Sequence, residues 1–249
     1  MTGHLPTPRV GVREDSLVRP NWVGQSARHH DTIWLDRNEN LDPEMAKVVR
    51  AALLSLSDDA LYTYPDLGEL YVKLADAFGG SPEQYVLAAG SDGAIRAVFE
   101  AYISPGDVVI HTRPTFAMYG VYSTMYAADT RPIDYVATAD GPYLDVDGLL
   151  RLIADSQPRL ICLPNPDSPT GTVLDDPALH TVIEAAGKVG AVILVDEAYY
   201  PFHPHSVADM VMDNRHLVVT RTFGKAWGMA GVRTGFAFAH PEMAKILHK

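Results

Sequence analysis

The chain has one cysteine, Cys162, so a framework of intrachain disulfides is impossible. That cysteine lies in the apolar run Leu160-Ile161-Cys162-Leu163 and reads as core packing. No apolar stretch approaches the roughly 20 residues that span a bilayer. The N-terminal run from Met1 to Pro8 is polar and broken by proline, unlike a signal peptide, which leads to the expectation of a cytoplasmic protein with no membrane partner. Basic charge is also scarce. Twenty Lys and Arg face 31 Asp and Glu, for a net charge of −11, and no basic run is dense enough to follow a phosphate backbone. Nucleic acid is not an expected partner. The histidine clusters His29-His30 and His203-Pro204-His205 come without a cysteine or carboxylate set, so no metal is expected. Gly90 to Gly93 is not a dinucleotide fingerprint, and no internal repeat is present.

What is present is an apolar content of 47% in 249 residues, enough for a large buried core. Residues 1–41 carry prolines at 6, 8 and 20 with little periodicity and read as an extended arm. Beyond the arm, helical spacing recurs near Pro43 to Leu56, Leu67 to Phe78, Gly93 to Tyr102, Tyr119 to Ala127, Val146 to Ala154 and Pro177 to Gly187. Between these lie the short apolar runs Val86 to Ala89, Val108 to His111, Leu160 to Leu163, Val192 to Val195, Leu217 to Thr220 and Phe236 to Ala239, with a weaker one near Ile133. Runs apolar on both faces and separated by helices predict a mostly parallel sheet covered on both sides.

In such sheets, ligands bind beyond the carboxyl ends of the strands. Four polar or glycine-rich segments follow predicted strands: Ala88 to Gly93, Pro164 to Gly171, Asp196 to Tyr200, and Thr222 to Lys225. The last opens the run Thr222-Phe223-Gly224-Lys225-Ala226-Trp227-Gly228-Met229-Ala230-Gly231-Val232-Arg233. Thr222 and Arg233 are residue types that grip a phosphate, and a lysine beside a bound phosphate suggests imine chemistry. A basic glycine-rich turn can also be an ordinary loop.

Taken in order, Asn38-Glu39-Asn40, Tyr64-Pro65-Asp66, Gly90 to Gly93, Arg113-Pro114-Thr115-Phe116, Pro169-Thr170-Gly171, Asp196 to Tyr200 and Thr222 to Arg233 carry a family resemblance. The chain resembles the pyridoxal-phosphate aminotransferases of the aspartate aminotransferase fold (class I/II), most closely the histidinol-phosphate aminotransferase-like branch. The likeness implies a three-layer α/β/α architecture with a mostly parallel, seven-stranded sheet, in which residues 42–249 form the cofactor-binding large domain. The helix opening at Pro241 has no C-cap before Lys249, so the chain is expected to be truncated, without the family's small C-terminal domain.

The resemblance implies pyridoxal 5'-phosphate as cofactor and assigns roles to particular residues. Lys225 forms the resting imine and then moves the substrate proton. Asp196 pairs with the pyridine nitrogen, and Tyr199 bonds the phenolic oxygen. Amides around Ser91, Asp92 and Gly93 face the phosphate, with Asp92 itself read as the helix N-cap, since its carboxylate would repel a dianion. Thr222 and Arg233 bind the same phosphate. Phe116 stacks on the ring or packs in the core; Tyr200 packs. Tyr64 reaches from a partner subunit, which implies a homodimer with shared sites. Asn40, within Asn38 to Asn40, lines the substrate side or belongs to a polar turn.

Two positions depart from the family pattern. Ser168 stands where relatives have the asparagine before Pro-Thr-Gly, which leaves Tyr199 or Asn165 to compensate, and Gly224 stands where relatives often have serine. The implied reaction moves an amino group between an amino acid or amine and a keto acid, aldehyde or ketone through pyridoxamine phosphate. Two alternatives stay open: decarboxylation of the phosphothreonine decarboxylase kind, and a degenerate domain without turnover.

Overall fold

The computed structural model describes residues 7–18, 28, 29, 31–203 and 205–249. Parts of the expected arm, together with His30 and Pro204 of the histidine clusters, lie outside the described residues. Seven strands, β1 (Tyr85–Ala88), β2 (Val108–Arg113), β3 (Asp129–Asp134), β4 (Leu160–Pro164), β5 (Val192–Asp196), β6 (Leu217–Thr222) and β7 (Gly235–Ala239), form one sheet in the order β1-β7-β6-β5-β4-β2-β3. Neighbours from β6 to β3 pair in parallel, and β7 alone runs against both of its neighbours. The helices are α1 (Pro43–Leu54), α2 (Asp59–Tyr62), α3 (Gly68–Phe78), α4 (Gly90–Tyr102), α5 (Ala117–Met125), α6 (Val146–Ser156), α7 (Asp176–Lys188) and α8 (Pro241–Leu247).

A period of two in the strands builds the layers. In β4 and β5, Ile161, Leu163, Ile193 and Val195 face one side, and Leu160, Cys162, Val192 and Leu194 face the other. Both sides are buried, which explains why these strands read as continuous apolar runs. The first face is covered by α3, α6 and α7. In α7, Leu179, Val182, Ile183 and Ala186 repeat at helical spacing and meet Leu149 and Ile153 of α6 in the same cluster. The second face is covered by α4, α5 and α8 through Ile95, Val98, Phe99, Tyr119, Tyr122, Met243 and Leu247. Each fully buried leucine or isoleucine contributes about 1.5–3 kcal/mol. The expected three-layer, seven-stranded architecture is the observed one.

Local chemistry sets most boundaries. Asp42, Asp145 and Asp175 accept from the backbone N–H groups of Glu44, Gly148 and Ala178 and so start α1, α6 and α7. The faint β3 is an edge strand whose Pro132 and charged residues discourage further pairing, which is why its apolar signal is weak. The short α2 carries no periodic pattern that sequence reading could detect. Among the described residues, no helix is long and apolar enough to cross a membrane.

The largest revision concerns α4. The spacing predicts its start at Gly93, whereas it begins at Gly90, whose φ of 80° turns the chain directly from strand to helix. Asp92 is therefore inside the first turn and is not the N-cap. That position belongs to Ala89, which makes no side-chain capping bond, and the Asp92 carboxylate instead accepts from the Tyr122 hydroxyl at 2.9 Å.

Candidate active site

The exits of β1, β4, β5 and β6 surround a cavity of about 480 Å³. Gly90, Ser91 and Asp92 enter it from the start of α4, Ser168 from the loop after β4, and Asp196 and Tyr199 from the end of β5. Thr222 and Lys225 come from the end of β6, and Phe116 and Arg233 complete the wall. The location is the crevice beyond the carboxyl ends of the strands, where a parallel sheet leaves room for a ligand.

Asp196 is the buried end of β5, with 4% of its surface exposed. Its Oδ2 accepts from the Tyr119 hydroxyl at 3.0 Å and its Oδ1 from Thr220 Oγ1 at 2.8 Å. Burial pushes its pKa up from 3.8 to about 6, and the two hydroxyl bonds oppose that rise. Burial also drives the Tyr119 hydroxyl well above its ordinary range, so this phenol stays a neutral donor. Neither Tyr119 nor Thr220 emerges from sequence reading. Thr220 is the register partner of Asp196 across β5 and β6, and Tyr119 lies one helical turn beyond Phe116. Those relations become visible only after the pairing is known.

The anion cradle forms where α4 meets the loop after β6. A helix starting at Gly90 leaves the amides of Gly90, Ser91 and Asp92 without intrahelical partners. Gly93, expected in this set, is displaced from it: as the fourth helical residue its N–H turns back to Ala89, and the residue does not line the cavity. A Cβ at Gly90 would lie 3.2 Å from Arg233 Nη2 and 3.7 Å from Thr222 Oγ1, so the three groups share one small space. Arg233 has a φ of 57°, rare for a non-glycine residue, and such strain is typical of a side chain held for a purpose. Gly224 N–H donates to Thr222 Oγ1 at 3.0 Å, and a Cβ at Gly224 would come within 3.2 Å of that oxygen. Glycine at this position keeps the threonine hydroxyl uncrowded.

Lys225 Nζ donates to the backbone carbonyl of Arg37 at 2.6 Å and stands 5.9 Å from the centre of the Tyr199 ring. The Tyr199 hydroxyl donates to Ser168 Oγ at 3.2 Å and accepts from Asn38 Nδ2 at 2.7 Å. Phe116 both lines the cavity and packs edge-on against Tyr119, with ring centres 5.7 Å apart. Tyr200 packs beneath the guanidinium of Arg221, which is paired with the buried Glu197 at 2.8 Å.

One residue expected in this chain's own site, Asn40, stands elsewhere. Asn40 does not line the cavity: its Nδ2 donates to the carbonyl of Ala226 at 2.8 Å and ties the arm to the lysine loop. Tyr64 is fully exposed on the chain's surface. Arg37, which sequence reading passed over, lines the cavity instead, as does Glu39 of the expected Asn38 to Asn40 motif, and Glu39 is paired with Arg28. Asn165, considered as a substitute for the missing loop asparagine, is 4% exposed and engaged with Leu174 through both ends of its amide.

An α/β/α sheet whose carboxyl edge brings together open helix amides, an arginine, a buried carboxylate and a lysine offers groups of the kind that can hold an anion and present an amine. A family model described as aminotransferase class I and II matches residues 30–249. The histidinol-phosphate aminotransferase of Thermoanaerobacter pseudethanolicus is 34% identical over 217 residues, which cover 86% of this chain and 60% of that protein. The enzyme of the same name from Roseiflexus castenholzii is 34% identical over 222 residues, covering 87% and 58%. A solved structure of histidinol-phosphate aminotransferase from Sinorhizobium meliloti in complex with pyridoxal-5'-phosphate superposes with a TM-score of 0.71 at 23% identity, over 84% of this chain and 56% of that one.

The chain belongs to the class I and II aminotransferases. It spans about 60% of the length of these curated relatives. The donor set suits pyridoxal phosphate, the cofactor of this family: amides, a hydroxyl and a guanidinium for a phosphate, a carboxylate for a pyridine nitrogen, and one amine.

Proposed function

We propose that the protein is a pyridoxal-phosphate-dependent aminotransferase of amino acids or primary amines, with histidinol phosphate as the first substrate to test because relatives carry that name. The observation that carries this reading is the buried Asp196 at the floor of the cavity that Lys225 and Arg233 also line. Bound there, the cofactor supplies an aldehyde to an incoming amine and an electron sink for the carbanion left by proton loss.

The chain's own residues do the rest. Arg233, Thr222 and the open amides of α4 hold the phosphate. The carboxylate of Asp196 keeps a pyridine nitrogen protonated by a charge-assisted bond in a dry site. Lys225 releases the Arg37 carbonyl, and its amine carries the proton to and from the substrate α-carbon. In this reading residues 42–249 form the cofactor-binding domain, residues 1–41 an arm beside its mouth, and a second copy of the chain supplies Tyr64 to the phosphate. The working compartment is the cytoplasm.

The test is spectroscopic. Mixing the protein with pyridoxal phosphate should produce a visible band that borohydride abolishes while fixing the cofactor to Lys225, and Lys225→Ala should show neither. A parent without the band, or cofactor fixed to another residue, overturns the assignment. Amines added to the loaded protein, histidinol phosphate among them, should convert the cofactor to pyridoxamine phosphate. Release of carbon dioxide would identify a decarboxylase instead.

A further inference from the structure

We infer that Asn38 is a positioning residue for Tyr199, supplying from the arm the amide that the loop after β4 lacks at Ser168. The inference rests on the aminotransferase reading of the pocket. Ser168 has one short hydroxyl, and in the structure it is the acceptor of the Tyr199 hydroxyl at 3.2 Å. Its loop neighbours offer no replacement. The amide of Asn165 is bonded to Leu174 at both ends, and Asp167, a carboxylate, accepts from the backbone N–H and hydroxyl of Thr170. Asn38 Nδ2, by contrast, donates to the Tyr199 oxygen at 2.7 Å from the far end of the sequence.

That bond uses one lone pair of the Tyr199 oxygen and leaves the phenol's single proton free to be donated, as it is to Ser168 Oγ in the structure. A donor onto the oxygen also polarises the O–H and strengthens the bond it gives in turn. Asn38, Ser168, Tyr199 and Phe202 further line a second cavity of about 420 Å³ beside the first, so the amide and the phenol share one wall. The residue type also suits the backbone: Asn38 has a φ of 53°, the left-handed region that asparagine tolerates better than most residues.

A hydrogen bond directed at the cofactor's phenolic oxygen stabilises the negative charge there and lowers the pH at which the adjoining lysine adduct loses its proton. Weakening the donor leaves more charge to hold that proton, so the midpoint moves up. The experiment titrates the visible band of the full chain loaded with pyridoxal phosphate against pH. Asn38→Gly keeps the left-handed backbone and removes the amide, and should raise the midpoint by up to about one pH unit. Tyr199→Phe should raise it as well, and adding Asn38→Gly to that variant should move it no further. Ser168→Asn should lower the midpoint more in the Asn38→Gly background than in the parent, a non-additivity that mere ordering of the arm does not predict. An unmoved midpoint in Asn38→Gly, or an equal shift with and without the Tyr199 hydroxyl, overturns the inference. A parent that forms no band overturns the pocket reading and this inference with it, whereas a normal band with an unmoved midpoint overturns this inference alone.

Discussion

Asp196 is a carboxylate taken out of water with only neutral hydroxyls, those of Tyr119 and Thr220, as its side-chain partners. Burying such a charge without a cation is costly until a ligand brings one. Its folded pKa of about 6 lies above the ordinary 3.8, so the native protein holds the proton more tightly than the unfolded chain does. The stability from that proton is complete below about pH 4 and is lost as the pH rises through about 6. The interval corresponds to roughly 3 kcal/mol. Melting of the ligand-free protein from pH 4 to 7 should therefore show Asp196→Asn gaining on the parent across this window. A constant difference between the two would contradict the assignment. Tyr119→Phe deletes one donor to the carboxylate, worth about 1.5–3 kcal/mol when the group is charged, and should cost more stability at pH 7 than at pH 4.

At the scale of elements, the junction of β1 and α4 concentrates the conformational demands of the site. Gly90→Ala would put a side chain at a φ of 80°, a cost of about 1–2 kcal/mol, with its Cβ 3.2 Å from Arg233 Nη2. The expected result is an unfolding free energy from urea titration lowered by that amount and cofactor affinity reduced by about tenfold or more, measured by titrating the visible band. The strands of this fold were legible because burial on both faces leaves a continuous apolar signature, as in Leu160 to Leu163 and Val192 to Val195. The start of α4 was misread by three residues because the same run, Gly90 to Gly93, is both a turn and a first helical turn, and only the backbone angle separates the two.

The site divides along similar lines. Lys225, Asp196, Thr222 and Arg233 are residue types whose chemistry points to a phosphate and an imine. Tyr119 and Thr220 carry no such label, since a tyrosine and a threonine gain a role only through the partner that register brings to them, and Asn38, inside a suggestive motif, shows nothing in sequence of its bond to Tyr199. Asn40 shows the converse, a polar residue in a suggestive motif whose amide is spent on a backbone carbonyl.

At the scale of the whole molecule, Tyr64 stands fully exposed on the single chain, and exposed Leu53, Leu54, Leu56, Leu61 and Leu67 flank it in sequence. Exposed apolar residues of this kind are what the proposed homodimer would cover. If Tyr64 serves a partner's phosphate, mixing Tyr64→Ala with Lys225→Ala protein should produce dimers in which one of the two sites has both residues intact. Such mixtures should regain activity that neither variant shows alone, and a mixture no better than its components would rule out sharing.

The pairing of β1 with β7 joins the first and last strands among the described residues. On a ribosome, β1 emerges before β2 to β6 and its hydrogen-bonding edge waits through their synthesis, a long-range closure of the kind that makes folding slow. Gly90 follows β1 by one residue, while Thr222 and Arg233 flank the segment that leads into β7, so the proposed phosphate cradle comes together only in chains that have made this closure. A ligand that binds across it favours the closed chain by mass action, and the supply of that ligand in the cell becomes a determinant of how much newly made protein matures.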